Sequence, residues 1–203
     1  MKSKGLVLGV GGAVLLLLAL VGWRLLAQPY AYHGSLLETP VLAPEIQLGD
    51  QVGETFSLRE QRGKVVLLAF GYTNCPDVCP TTLAQFKQIK AGLGEDAAPV
   101  RFVFITVDPE RDTPERLKLY LGSFDPEFTG LTSSRSDLEQ VWQEYGVFQQ
   151  KQAPDSSGNY EVDHTARIYA IDKTGNFRLT YPYDMEFSGI VEDVRHLVEE
   201  SVQ

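Results

Sequence analysis

The chain has 203 residues, 43% of them hydrophobic and 22% charged, with a formal net charge of −9. That composition excludes a disordered chain, and the length allows one ordinary domain with an appendage. Its two cysteines are too few and too close together to staple a small disulfide scaffold, so they read as a site.

The appendage comes first. From Gly5 to Trp23 the run GLVLGVGGAVLLLLALVGW carries no charge. Its length, about 19 residues, is what a helix needs to cross about 30 Å of hydrocarbon. A cleaved secretory signal has a shorter apolar stretch, about 7–15 residues, followed by small residues. Here Arg24-Leu25-Leu26-Ala27 follows instead, with no cysteine nearby to accept a lipid. We therefore expect residues 1–27 to form an uncleaved, single-pass transmembrane helix. Trp23 and Arg24 would sit at the far interface, with Lys2 and Lys4 holding the N-terminus in the cytoplasm. The rest would lie on the outer, periplasmic side of the inner membrane, in an oxidising compartment. Without residues 1–27 there remain 15 basic side chains against 27 acidic ones, a net charge of −12. That argues against nucleic acid or anionic lipid as a partner of the domain.

Residues 28–44 contain Pro29, Pro40, Pro44 and several aromatics without a period. They read as a linker, with His33 exposed in it. Residues 45–203 form the domain. Glu45–Leu48 and Thr55–Leu58 are expected strands around the turn Gly49–Gly53. Lys64–Tyr72 (KVVLLAFGY) is a continuous apolar run, as in a central strand buried on both faces. Thr81–Leu93 has helical spacing, Val100–Val107 is a second buried strand, and Thr113 caps a helix with Pro114 at its first position. Ser134–Tyr145 is a third helix. Residues 149–163 are polar and read as a mobile loop. Thr165–Ile171 and Phe177–Tyr181 form a hairpin around Asp172–Asn176, and Ser188 caps a last helix. Buried strands alternating with helices give a mainly parallel sheet covered on both faces, with an antiparallel edge. This is an α/β, thioredoxin-like mixed sheet.

Between the first central strand and its helix stands Gly71-Tyr72-Thr73-Asn74-Cys75-Pro76-Asp77-Val78-Cys79-Pro80. Functional sites in open α/β sheets favour this edge. Proline is comfortable at the first position of a helix, so the helix is expected to begin at Pro80 with Cys79 at its N-cap. Backbone N–H groups there favour a thiolate. Two adjacent thiolates can cycle as a dithiol–disulfide couple or bind a soft metal, and the pair alone leaves both open. Val162-Asp163-His164-Thr165 precedes the later strand, where oxidoreductases of this fold usually carry a cis-proline facing the cysteines. A histidine there completes a Cys₂His set, which suits Cu(I), whereas a closed zinc site wants a fourth ligand.

The cysteine segment, then Val107-Asp108-Pro109-Glu110-Arg111-Asp112-Thr113, then Val162-Asp163-His164-Thr165, resemble the Sco/SenC family in content and order. The resemblance covers the domain from about Glu45, and the preceding anchor fits it. It implies a copper metallochaperone that helps assemble the copper A centre of cytochrome c oxidase, with Cys75, Cys79 and His164 as metal ligands. Asn74 departs from the family, many of whose members have histidine there. Asp163, Tyr72 and Asn74 are candidates for the surroundings of the metal. Asp108, Arg111 and Asp112 read as a strand end, turn and cap; Met185 reads as packing and His196 as a helix-surface residue. Two other activities would use the same residues. One is a thiol–disulfide reductase acting through a Cys75–Cys79 disulfide on the oxidase subunit's cysteines. The other is a redox or copper sensor. The implied partners are the oxidase subunit carrying copper A and a thiol reductant or copper donor. Movement of the 149–163 loop is the expected route to metal release.

Overall fold

The computed structural model of the protein describes residues 30–200. The expected transmembrane helix over 1–27 lies outside these residues. Among the described residues no helix is long and apolar enough to cross a membrane. The chain divides into an N-terminal unit ending at Tyr32 and a domain that begins at His33.

The domain is built from β1 (Ser35–Leu42), β2 (Gln47–Asp50), β3 (Thr55–Ser57), β4 (Val65–Gly71), α1 (Val78–Leu93), β5 (Val100–Thr106), α2 (Pro114–Gly122), β6 (Thr129–Thr132), α3 (Arg135–Glu144), β7 (Gln149–Lys151), β8 (Val162–His164), β9 (Arg167–Ile171), β10 (Asn176–Pro182) and α4 (Phe187–Glu199). Eight strands form one mixed sheet in the order β1-β10-β9-β4-β5-β6-β2-β3, and β7 and β8 form a separate pair. Every residue of β4 is buried. That follows from its place: it runs parallel to β5 from Val65↔Val100 to Gly71↔Thr106, and antiparallel to β9 on its other side. Side chains alternate along β4, so neighbouring residues face opposite layers. Phe70 meets Tyr145, at the end of α3, and Tyr169. On the other face Phe102 stacks on Phe86 of α1 and on Phe128. Helices thus cover both sides, as expected.

Local signals were obeyed at two helix starts. The Thr113 side chain accepts the Arg116 N–H at 3.3 Å, with Pro114 first in α2, and Ser134 accepts the Asp137 N–H at 3.3 Å. Elsewhere the structure corrects the reading. Residues 35–42 are not linker but the edge strand β1, paired antiparallel with β10. Their pattern is hidden because the register shifts between Leu36 and Val41 and because Leu36, Val41 and Leu42 are exposed. Residues 149–163 are not one loop: their two ends pair as β7 and β8, with Gln149 opposite His164. The short strand β6 is an addition to the expected elements. The last helix begins at Phe187, with no side-chain cap from Ser188.

His33 is not a free linker residue either. The Asp193 carboxylate of α4, fully buried, accepts the His33 N–H at 3.0 Å and the Gly34 N–H at 2.9 Å, and lies 3.1 Å from His33 Nδ1. A Cβ at Gly34 would stand 2.3 Å from the Tyr181 ring, so only glycine fits this crossing. Asp193→Ala would orphan two backbone donors and is expected to cost about 2–3 kcal/mol, measured by urea unfolding. Faster amide exchange over 33–42 should accompany it. Unchanged exchange there would show that β1 is held by its pairing with β10 alone.

Candidate metal centre

Strand β4 ends at Gly71, and the segment after it turns back over the end of the sheet. The Cys75 N–H reaches the Tyr72 carbonyl at 3.2 Å, which closes the turn. Helix α1 then starts at Val78, two residues before the expected Pro80. Pro80 is tolerated as its third residue because the first four N–H groups of a helix have no intrahelical acceptor. Cys79 therefore lies inside the first turn of α1 rather than at its cap. Its sulfur points back under the loop, 2% exposed, and accepts the Tyr72 N–H at 3.5 Å. Cys75 is half-buried above it, and its sulfur accepts the Cys79 N–H at 3.3 Å.

His164 ends β8 and faces this pair. Its Nε2 lies 3.5 Å from Cys79 Sγ, and its Nδ1 lies 3.2 Å from the Thr165 carbonyl. A carbonyl can only accept, so Nδ1 donates to Thr165, and Nε2 is the ring atom turned to the sulfurs. Cys75, Cys79 and His164 offer ligand atoms that all lie within 4.8 Å of one another. Among the described residues this is the cluster of metal-ligating type with such spacing. Two thiols and one imidazole are a soft donor set of three.

The sulfurs share one proton. The Cys79 thiol donates to Cys75, and with His164 beside it this holds the Cys75 thiol down at about 4, against burial, which pushes it up. The same hydrogen bond, together with burial, pushes Cys79 far above an ordinary thiol. The site is then a thiolate above a thiol, and its titration belongs to the pair. Such a centre can bind a soft cation, or attack a disulfide through Cys75 and resolve through Cys79.

Of the residues expected around the sulfurs, Tyr72 is in place. It is buried, its hydroxyl accepts the Val162 N–H at 3.2 Å, and its ring meets the His164 ring edge to face with centroids 5.8 Å apart. Burial pushes the phenol to about 12, so it stays protonated. Asp163 lines the cleft beside His164, but its carboxylate takes the Gln152 amide at 2.5 Å. Asn74 is exposed and its side-chain oxygen accepts from Arg116. Met185 lies elsewhere, its carbonyl taken by Gln85, and His196 pairs with Glu200 at 3.5 Å.

The sequence reading undervalued the turn after β5. Asp112 is fully buried, and its carboxylate accepts the Thr73 N–H at 3.1 Å, the Thr73 hydroxyl at 2.6 Å and the Thr106 hydroxyl at 2.7 Å. Burial pushes the Asp112 carboxyl above the ordinary aspartate range, against the pull of these bonds. The available signal was the intact family motif around it; the partner Thr73, far away in the chain, carried none.

Reduced protein should keep the ultraviolet band of one thiolate through neutral pH and lose it as pH falls through about 4, because Cys75 is held below its ordinary 9.0. Loss already near pH 9.0 would remove the shared-proton assignment. A Cβ at Gly71 would stand 2.7 Å from both Cys79 Sγ and the Phe104 ring. Gly71→Ala is expected to destabilise the domain by about 1–3 kcal/mol in urea unfolding and to speed modification of Cys79, whose sulfur must move. Unaltered stability and reactivity would mean spare room beneath the loop.

The SCO1/SenC family model matches residues 35–199. The SCO2-like protein of Rickettsia conorii is 36% identical over 193 residues, covering 94% of this chain and 92% of that protein. Among solved structures, Bradyrhizobium japonicum ScoI with copper bound is 38% identical with a TM-score of 0.71, covering 77% of this chain and 99% of that one. The apo Sco1 protein from Thermus thermophilus is 36% identical with a TM-score of 0.74, covering 83% of this chain and 98% of that one.

Proposed function

This chain belongs to the SCO1/SenC family, and from that premise we propose that it is a copper metallochaperone. Cys75, Cys79 and His164 Nε2 hold one Cu(I), which is handed to the copper A centre of cytochrome c oxidase during assembly. The observation that carries this reading is the convergence of two sulfurs and one imidazole nitrogen within 4.8 Å. Relatives with copper bound support the choice of metal, and Sco proteins act in copper handling for cytochrome c oxidase. The apolar segment Gly5–Trp23 anchors the chain in the inner membrane, with the domain on the periplasmic side.

Loading requires the reduced pair, because a disulfide offers no thiolates. With Cys75 already ionised, binding displaces the single proton on Cys79. Two thiolates and a neutral imidazole leave room for an incoming ligand, so the acceptor's thiols can replace them one at a time. His164 comes from a separate hairpin and can leave without disturbing α1.

A second reading, thiol–disulfide reductase for the oxidase subunit's cysteines, draws on the half-buried, low-pKa Cys75 thiolate backed by a buried Cys79. It needs both sulfurs but not His164. Titration of the reduced full-length chain in mild detergent with Cu(I), against a competing chelator, separates the two. One-to-one binding should weaken by more than about 100-fold in His164→Ala, beyond the usual effect of an outer contact. Equal binding in wild type and variant would remove the three-ligand site and favour the reductase.

A further inference from the structure

The hairpin that carries His164 has little apolar packing of its own. Of β7 and β8, only Val162 is buried. It stands apart from the main sheet. Apart from the Tyr72 hydroxyl, what fastens it is the turn after β5. Arg111 Nη1 donates to the Tyr160 carbonyl at 3.0 Å, the Tyr160 hydroxyl donates to Asp108 at 2.9 Å, and Lys151 reaches Glu110 at 2.6 Å. The Arg111 guanidinium lies 3.6 Å from the Tyr160 ring centroid and 5.6 Å from that of Tyr72. Its Nε pairs with the Asp108 carboxylate, and the two side chains are only 17% and 1% exposed.

The Arg111 side chain lies between the two halves of the centre. Tyr72, on one side of it, gives its N–H to Cys79 Sγ; Tyr160, on the other, is four residues before His164. The neighbouring Asp112 grips Thr73, on the cysteine segment. Consecutive residues of one turn thus set the cysteine loop and the histidine hairpin. A guanidinium suits this task and an ammonium does not, because it lies over the Tyr160 ring while its fork meets a carboxylate and a carbonyl.

We propose that Arg111 is a positioning residue for metal affinity: by gripping Tyr160 it fixes the stand-off of the β7–β8 hairpin, and so the distance of His164 Nε2 from the two sulfurs. The proposal rests on the Cys75–Cys79–His164 reading above. It makes His164 a ligand whose reach is set from outside the ligand shell. A docking partner that pulls on the hairpin weakens the metal's hold without touching a cysteine.

The test is a double-mutant cycle on the full-length reduced chain in detergent, read by Cu(I) competition. Replacing Arg111 alone would strand the buried Asp108 charge, so one variant pairs Arg111→Gln with Asp108→Asn. A second, Tyr160→Leu, leaves the ion pair and removes the ring and hydroxyl it grips. Each is expected to weaken Cu(I) binding about tenfold, the lower end for an outer-shell contact, and to speed amide exchange over 149–164. In a His164→Ala background neither should weaken binding further, to within about twofold. Equal losses in both backgrounds would mark a merely structural role and overturn the proposal, as would unchanged affinity in the Tyr160→Leu variant. If His164→Ala alone left affinity intact, the ligand assignment itself would fall, an outcome separate from the other two.

Discussion

The ends of the two central strands are tied by one buried carboxylate. Asp112 accepts from Thr106 at the end of β5 and from Thr73, two residues past the end of β4. A buried carboxylate is costly unless its oxygens are fully bonded, and here three donors converge on it. The parallel register of β4 and β5 brings those donors together, since Gly71 lies beside Thr106. Everything at the site hangs from this junction. The loop beyond Thr73 carries Cys75, α1 returns Cys79 beneath it, and the turn that supplies Asp112 also supplies Arg111.

Space is as binding a constraint as charge. Gly71 leaves room for the Cys79 sulfur against Phe104. A side chain there would move the sulfur and disturb the aromatic packing on that face of the sheet. The site is therefore built on the rigid part of the domain at its cysteine end. At its histidine end it rests on a small hairpin held by polar and ring contacts. The two sources of site residues differ in how they are fixed, which fits the proposal of a centre that both holds and yields a metal ion.

Much of this was legible in the residues. The apolar runs of β4 and β5 identify themselves because both faces are buried. Thr113 and Ser134 cap as local chemistry dictates. Cys75 and Cys79 could be singled out as a site from their spacing at a strand–helix junction, but the pair alone left redox and metal chemistry open; His164 and the family resemblance tilted the reading to metal. What stayed hidden depended on distant partners. β1 reads as linker because its register breaks and its Leu36, Val41 and Leu42 are exposed; its order comes from β10 and from Asp193. β7 and β8 read as a loop because their sequence is polar; their order comes from Arg111 and Tyr72. Pro80 misplaced the helix start, since a proline is equally acceptable one or two residues further into the first turn. Asp112 read as part of a turn because Thr73 is 39 residues away.

The single proton shared by Cys75 and Cys79 has a consequence for recognition. One thiolate and one thiol carry a charge of minus one; two thiolates around a monovalent cation carry the same. Under the proposed ligand set, loading would exchange a proton for a monovalent metal ion with no change of net charge, so the domain would show an approaching protein the same electrostatic face whether full or empty. Long-range attraction cannot sort one form from the other. On the proposed ligand set the distinction would have to be made at contact, by shape, at the hairpin that ends in His164.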